Sequence, residues 1–566
     1  MRRRTVIQRI LGSLLVAGAC HDSTAPPALP TCHSSSASQL TLAVAAYTAI
    51  DPATDVGCVT IAANTSTLQA EYLIVSQSAA GTWGLSSTFT LGNATLAPTA
   101  MPAAQRLAPP ASSSPRGAAT DFDAFLRRRG AARAARAATL APSAPAPAAS
   151  PLPVTPPTVG SLRQFAVCAD LNCSHFQKVG ARAKAVGAHV AIYVDTLAPA
   201  NGLDSADIDT LKQVFDARLY PLDTSTFGGV TDLDTNGVVI ALMTPVVNAL
   251  VTKTACASTG YIAGFFFPDD LILSVPIDSS NHGEIFYSIV ADSAGTVSCA
   301  HTRANVKHVT PGTFMHEFQH MINFAQHVLI KFGNATEDGW LDEGLSKYAE
   351  ELAGRSFLRP TCQNYPTYTP CPDTLTFWRY TINNVYDAYQ YLHAPGGSAL
   401  LIQLDQGTLA EVGASWLFMR YLVDQFGTQL TDSLAQTTLA GSANVAAQTH
   451  QPFTTTVTRW ALSNWVSDLP GFATPPELRD TSWHFRTRTF PFWNQQDPTD
   501  FPLPFPLVPA QSASGIVSLS ATLQSGSGVY LRVLQDPGAP AFTLQFTGPS
   551  ATFSTVVPRL NIIRIH

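Results

Sequence analysis

Two histidines and a glutamate form the most informative group in this sequence of 566 residues, in the pattern His316-Glu317-x-x-His320. On a helix, residues four apart share one face, so both imidazoles can bind one metal ion while Glu317 lies beside it. Zinc held by two imidazoles and a carboxylate keeps one position open for water, whose pKa it lowers to about 7. The pattern therefore predicts zinc-dependent hydrolysis with Glu317 as the general base.

A third zinc ligand has to come from elsewhere in the chain, and two residues compete for this role. His327 follows His320 by seven residues; on a continuous helix it would lie two turns, about 10 Å, away and could not share the ion. We interpret His327 as a surface histidine. Leu341 and Leu345 have the spacing of a core-facing helix, which directs Glu343 to the opposite face. Glu343 is therefore the predicted third ligand.

Two helices have to position these ligands. Thr310 followed by Pro311 is typical of a helix start, and Gly333 is typical of a helix end, which predicts a first helix that contains the histidine pair. On the second helix, Glu350 follows Glu343 by seven residues and shares its face. Glu350 could orient a zinc-binding imidazole, and a solvated helix charge is the equal alternative.

Both segments resemble those of a known family. Trp340-Leu341-Asp342-Glu343-Gly344 is similar to the Trp-Leu-Asn-Glu-Gly segment of gluzincin aminopeptidases, in which the glutamate is the third zinc ligand. Together with His316-Glu317-Phe-Gln-His320-Met-Ile-Asn, it resembles the hyicolysin-type metallopeptidases more closely. The resemblance covers about residues 159–470 and implies a zinc peptidase that acts on proteins or peptides. The Gly-x-Met-Glu-Asn motif of the aminopeptidases is not apparent, which favours an endopeptidase.

The resemblance also implies a donor for the oxyanion downstream of Glu343, where gluzincins place a tyrosine or a histidine. The candidates of this type are Tyr386, Tyr389, Tyr391, His393 and Tyr421. We take Tyr421 as the catalytic candidate. Because Tyr421 follows an apolar helical pattern, an ordinary core tyrosine is the alternative.

Composition limits the function classes. The net charge is -6, from 33 Lys+Arg against 39 Asp+Glu, which argues against a nucleic-acid partner. Charged residues make up 13% of the chain, about half the usual share, which is typical of an exported, loop-rich protein. Beyond residue 20 no apolar run is long enough to span a bilayer, which excludes a polytopic membrane protein.

The first 20 residues have the layout of an export signal, with three arginines at positions 2 to 4, an apolar stretch and small residues at its end. Ala17-Gly18-Ala19-Cys20 resembles the lipobox of bacterial lipoproteins, in which the cysteine is acylated. Cleavage after Ala19 without lipidation is the alternative. We therefore predict an exported protein that is anchored in the cell envelope through Cys20 or is secreted, with no other membrane contact.

Cysteine usage also indicates export. Without Cys20 eight cysteines remain, an even number that is typical of proteins with disulfides. Sequence does not fix the connectivity, but pairing neighbours closes the shortest loops. These pairs are Cys32–Cys58, Cys168–Cys173, Cys256–Cys299 and Cys362–Cys371.

We predict an α+β fold with a zincin-like core of two subdomains at residues 159–470, flanked by small β-domains at 21–95 and 471–566, where β-formers alternate with turn residues. Residues 96–158 are rich in proline and alanine and contain a predicted arginine-rich helix from Asp121 to Ala138. We interpret it as a solvated helix in an interdomain linker. A propeptide with a basic processing site is the alternative.

A second metal motif is weaker. Asp232-Leu-Asp234-Thr-Asn236-Gly237 reproduces the first half of an EF-hand calcium loop. The twelfth position is Met243 instead of glutamate, and Asn-Gly is a strong hairpin signal. We therefore favour a turn over a calcium site.

The sequence thus predicts a zinc metallopeptidase in which His316, His320 and Glu343 hold the ion and Glu317 activates water. The alternative is a non-catalytic binding lipoprotein of the cell surface with a protease-like core. The sequence makes no prediction of the oligomeric state.

Overall fold

The computed structural model describes residues 38–53, 57–94, 117–140, 155–359, 362, 374–402, 407–512 and 514–566. The predicted export signal and the lipidation site Cys20 lie outside these ranges. Among the helices within them, none combines the length and the hydropathy that crossing a bilayer requires.

The described chain contains strands at both ends and helices mainly in the middle. The strands are β1 (Ser38–Leu40), β2 (Tyr47–Ile50), β3 (Cys58–Ile61), β4 (Ala70–Ser78), β5 (Ser86–Asn93), β6 (Leu162–Cys168), β7 (Phe176–Val186), β8 (Val190–Asp195), β9 (Val239–Met243), β10 (Gly264–Phe266), β11 (Ile285–Ser288), β12 (Ala510–Ser512), β13 (Ser518–Gln524), β14 (Gly528–Gln535), β15 (Phe542–Thr547) and β16 (Pro558–Arg564). The helices are α1 (Ala118–Leu140), α2 (Ser205–Val214), α3 (Tyr220–Phe227), α4 (Pro245–Ala249), α5 (Lys253–Thr259), α6 (Arg303–Phe324), α7 (Gly339–Arg355), α8 (Thr374–His393), α9 (Leu409–Phe426), α10 (Leu430–Ala435), α11 (Gly441–Thr449), α12 (Phe453–Val466), α13 (Phe490–Gln496) and α14 (Ser550–Phe553).

Strands from the two ends of the chain form one β-sandwich. Its sheets have the orders β1-β3-β15-β5-β13 and β12-β14-β4-β16-β2. Strand β4 pairs with both β14 and β16, and β5 pairs with both β13 and β15. The two sheets share an apolar core that includes Val59, Ile74, Leu544 and Ile562. The two separate β-domains expected from the sequence are therefore one domain, because β4 and β5 find their hydrogen-bonding neighbours at the other end of the chain.

A six-stranded mixed sheet lies in the middle of the chain, with the order β10-β11-β9-β8-β7-β6. Strand β9 is parallel to β8 and β11, whereas the other neighbours are antiparallel. Every residue of β9 and of β11 is buried, as expected for strands that are covered on both faces. Helix α6 packs against β10 and β11 at one edge of this sheet.

Helix α6 begins seven residues earlier than Thr310, the predicted start. The Thr302 side chain caps it by accepting from the backbone N–H of Asn305, so Pro311 lies inside the helix. A proline in a helix interior costs about 3 kcal/mol, and packing of the buried Val306 and Phe314 on either side of it offsets this cost. Tertiary contacts therefore override the local start signal.

Helices α7, α8 and α9 pack closely against one another. A Cβ atom at Gly344 would lie 2.9 Å from the carbonyl oxygen of Ser415, and one at Gly413 would overlap the backbone of Asp387. Glycine at these positions lets the helix backbones approach. Helices α6 to α13 form what we call the helical body. It extends beyond the predicted boundary at 471, because the C-terminal strands begin only with β12.

The arginine-rich helix α1 packs against β10 and residues 268–271, which follow this strand. Its Phe122, Leu126 and Ala134 are buried. Arg129 lies 2.8 Å from the buried carboxylate of Asp269. The interpretation of this segment as a solvated linker helix was wrong, because the partners of its charged and apolar side chains come from distant parts of the chain.

Disulfides connect neighbouring cysteines. The pairs Cys168–Cys173 and Cys256–Cys299 are present and confirm two of the predicted connections. Cys58 and Cys362 are disulfide-bonded as well, and the partners predicted for them lie outside the described residues.

The shared sandwich predicts that a chain truncated after Val508 loses the fold of its N-terminal strands, because β4 and β5 then lose both of their neighbours. Hydrogen exchange followed by mass spectrometry measures this loss: amides of β4 should be protected in the full chain and exchange freely in the truncated one. Amides of β8 and β9 serve as the internal control. Unchanged protection of β4 in the truncated chain would contradict the single sandwich.

Candidate metal centre

Helices α6 and α7 bring the three predicted ligands together. Nε2 of His316 lies 3.0 Å from Nε2 of His320. The Glu343 oxygens lie 3.8 Å from the first of these atoms and 3.4 Å from the second. Because ligand atoms of all three side chains lie within 4.8 Å of one another, they could bind a single metal ion.

The other ring nitrogen of each histidine contacts a carboxylate of α7. Nδ1 of His316 lies 2.7 Å from Oε1 of Glu350, and Nδ1 of His320 lies 2.9 Å from Oδ2 of Asp342. A hydrogen bond at Nδ1 keeps the proton there and leaves the lone pair of Nε2 for a metal. Glu350 thus makes the contact that an orienting role requires. Sequence analysis missed the same role for Asp342, although this residue directly precedes Glu343.

A divalent cation fits this group of atoms. Oε1 of Glu343 is buried and forms no hydrogen bond within the described chain. With the protons on Nδ1, the lone pairs of the two Nε2 atoms face each other, an arrangement that a cation would stabilise. Two imidazoles and one carboxylate form a ligand set typical of catalytic zinc.

The carboxylates of α7 also affect the protonation of His320. Burial and the charge of Arg127 oppose protonation of His320, but Asp342 and Glu343 outweigh them and raise its pKa to about 10. Burial would raise the pKa of Asp342, but the nearby His320 lowers it. A metal ion therefore competes with a proton for His320, so metal affinity falls as the pH falls.

Glu317, the predicted base, is fixed at the wall of the same cleft. Its Oε2 accepts a hydrogen bond of 2.8 Å from the backbone N–H of Phe266 in β10. Strand β10 reaches α6 because Gly264 has no side chain: a Cβ atom there would lie 2.5 Å from Cγ2 of Thr313. The edge of the central sheet thus positions the carboxylate.

The cleft is lined by His316, Glu317 and Glu343 together with four further charged residues: Asp123 and Arg127 of α1, Lys347 and Asp387. Burial opposes the charge of Lys347, but Glu350 and Asp387 raise its pKa. Burial raises the pKa of Asp387 to about 7. Sequence analysis missed both residues. Helical spacing from Glu343 could have indicated Lys347, whereas no local signal marks Asp387 on α8.

The predicted oxyanion donor lies elsewhere. Tyr421 is buried, and its hydroxyl donates to the carbonyl oxygen of Glu477 at 3.0 Å. The other candidates, Tyr386, Tyr389, Tyr391 and His393, belong to α8. None of the five lines the cleft as the described residues form it. The catalytic assignment of Tyr421 is corrected, because α9 turns this side chain toward residues 476–478.

His327 is buried, which contradicts its interpretation as a surface histidine. It follows α6 in a π-helical turn, Ala325–Ile330, and burial lowers its pKa to about 4. Its Nε2 lies 3.9 Å from Oε2 of Glu337. His327 is absent from the group of ligand atoms around His316, as its position two turns along the helix predicts.

In the segment that is similar to the first half of an EF-hand loop, Asp232 and Asp234 lie within 4.8 Å of Glu284, which precedes β11. Asp234 pairs with Arg163 at 2.9 Å. The Glu284 carboxylate accepts a hydrogen bond from the backbone N–H of Leu233 at 3.1 Å. The turn interpretation stays a prediction, and calcium at this position stays its untested alternative.

Comparison with known proteins finds a partial similarity to a metalloprotease. No protein-family model matches the chain. Over 184 residues, 32% of this chain, it is 28% identical to the neutral metalloprotease ShpI of Staphylococcus hyicus. The match spans 38% of the length of that protein. The chain is thus similar to a metalloprotease over about a third of its length.

The contacts at Nδ1 predict that Glu350→Gln and Asp342→Asn each lower zinc affinity about 10- to 100-fold, because the imidazoles lose the carboxylates that orient them. Competition with a chromophoric zinc chelator measures this change. Asp278→Asn, which removes an exposed carboxylate elsewhere, should leave the affinity unchanged. Equal affinities in all three variants would show that neither carboxylate supports the site.

Proposed function

We propose that the protein is a zinc-dependent peptidase of the gluzincin type, in which the central sheet and helices α6 to α9 form a zincin-like core. The arrangement of two facing Nε2 atoms, a buried Glu343 oxygen and a carboxylate at each Nδ1 supports this proposal most directly. The similarity to a metalloprotease supports the reaction class. We propose proteins or peptides as substrates and endopeptidase cleavage.

In this mechanism His316, His320 and Glu343 would hold the zinc ion. When bound, zinc polarises the scissile carbonyl and activates a water molecule. Glu317 accepts the proton of the attacking water and passes it to the leaving amine. The hydrogen bond from the N–H of Phe266 keeps this carboxylate in the cleft wall.

We also propose that the enzyme is exported, and that it is either lipidated at Cys20 or secreted. Two disulfides, Cys168–Cys173 and Cys256–Cys299, support an oxidising compartment. The β-sandwich would then tether or position the peptidase.

The general-base role predicts that Glu317→Gln lowers the rate of peptide hydrolysis about 10²- to 10⁴-fold while zinc stays stoichiometric, since the amide cannot accept the proton. Cleavage of an unfolded protein substrate and elemental analysis measure the two quantities. Because Asp123 of α1 also lines the cleft, the comparison is made both in the parent chain and in an Asp123→Ala background.

A zinc chelator should abolish the same hydrolysis, and added zinc should restore it. A protein that binds zinc but cleaves no peptide bond in either background would contradict the proposal and favour a binding lipoprotein.

The position of Tyr421 predicts that Tyr421→Phe leaves kcat/KM within about twofold of the parent but lowers the free energy of unfolding by about 1 kcal/mol, the usual contribution of one hydrogen bond. Steady-state kinetics in the Asp123→Ala background and urea denaturation separate the two effects. A large loss of kcat at unchanged stability would restore Tyr421 as a catalytic residue.

A further inference from the structure

Helix α1 forms part of the wall of the candidate active-site cleft. Six of its residues between Ala119 and Arg127, among them Phe122 and Asp123, line it together with His316, Glu317 and Glu343. A peptide substrate has to enter this same space to reach the three ligands. The position of α1 therefore bears directly on access to the site.

Asp123 is the residue of α1 that lies at the ligands. Asp123 lines the cleft together with His316 and Glu343, and the charges of Glu343 and Arg127 act on its carboxyl group. Arg127, one turn further along α1, lies 3.2 Å from Asp123. Two facing carboxyl groups repel each other unless a proton or a cation lies between them. Asp123 is thus a further carboxylate in the cleft wall, outside the group of three side chains whose ligand atoms lie within 4.8 Å of one another.

Apolar packing holds α1 against the cleft. The ring of Phe122 meets the ring of Phe265 edge-on at 5.1 Å, and Leu126 is fully buried. Gly130 allows close approach, since a Cβ atom there would lie 3.1 Å from Cγ of Pro268. The helix therefore covers the edge strand β10 and the residues that follow it.

The arginines of α1 meet acidic groups of the body. Arg129 and Arg133 both bond to the carboxylate of Asp269, which is fully buried. Arg127 lies 3.5 Å from Asp342, the carboxylate that contacts His320. A buried carboxylate needs such partners, so the helix and the cleft are complementary in charge as well as in shape.

We propose that α1 is an internal ligand of the active-site cleft, in which the Asp123 carboxylate takes the position at the zinc ion that water and substrate need. The proposal rests on the proposed function. With α1 in this position, the folded chain is inactive until α1 is displaced or removed. It also favours the propeptide interpretation of the arginine-rich segment over the linker interpretation.

The test compares Asp123→Ala with the parent and with Asp121→Ala, which removes an exposed carboxylate from the same helix. The probe is a small hydroxamate that binds active-site zinc. The affinity of the hydroxamate, measured by calorimetry, should rise at least about tenfold in Asp123→Ala, because no carboxylate has to be displaced before the hydroxamate binds. The visible spectrum of the Co²⁺-substituted chain should change in the same variant. Asp121→Ala should match the parent in both measurements.

Hydrogen exchange provides a readout on the parent chain itself. Saturation with the hydroxamate should accelerate exchange of the α1 amides, while amides of β8 and β9 stay protected. Phe122→Ala, which removes a packing contact of α1 and leaves Asp123 in place, should accelerate exchange of α1 without any ligand.

Equal hydroxamate affinity and an identical Co²⁺ spectrum in the parent and Asp123→Ala would overturn the internal-ligand proposal. If the parent and Asp123→Ala also hydrolysed peptides at equal rates that depend on Glu317, the proposed function would stand and only the internal-ligand proposal would fall. A chain that binds no zinc in either form would overturn the proposed function and the latency together.

Discussion

The burial of ionisable side chains where α6 meets α7 is the constraint on which the rest of the structure depends. His316 and His320 face Asp342, Glu343 and Glu350 in a region that is largely shielded from water. A charge removed from water is costly unless an opposite charge or a hydrogen bond compensates it. Each imidazole therefore needs its own carboxylate, and the distances between the two helices have little freedom.

The surrounding elements keep these distances. Glycines at 344 and 413 let α7, α8 and α9 approach through their backbones. A fourth carboxylate of α7, Glu351, accepts hydrogen bonds from the indole N–H groups of Trp416 and Trp483. The opposite wall of the cleft is the edge strand β10, whose backbone N–H holds Glu317. The central sheet and the helical body thus each contribute one side of the site.

The need to compensate buried charges also explains the arginines of helix α1. Its arginines would be an unusual choice for a helix that packs on a protein body, but Asp269 and Asp342 are buried acids that require cationic partners. The helix and the body therefore satisfy each other's charges. The β-sandwich has a comparable dependence on distant partners, since β4 and β5 each lie between two strands from the C-terminal end.

The sequence by itself determined what depends on local spacing. His316 and His320 lie one turn apart on α6, Glu343 and Glu350 share a face of α7, and the two described disulfides connect neighbouring cysteines. Tertiary structure decided which distant segments meet. It joined both ends of the chain in one sandwich, turned Tyr421 away from the cleft and placed Asp123 in the cleft wall. Hydrophobic periodicity reports that a residue is buried but not against which partner, because burial by any apolar surface is equally favourable.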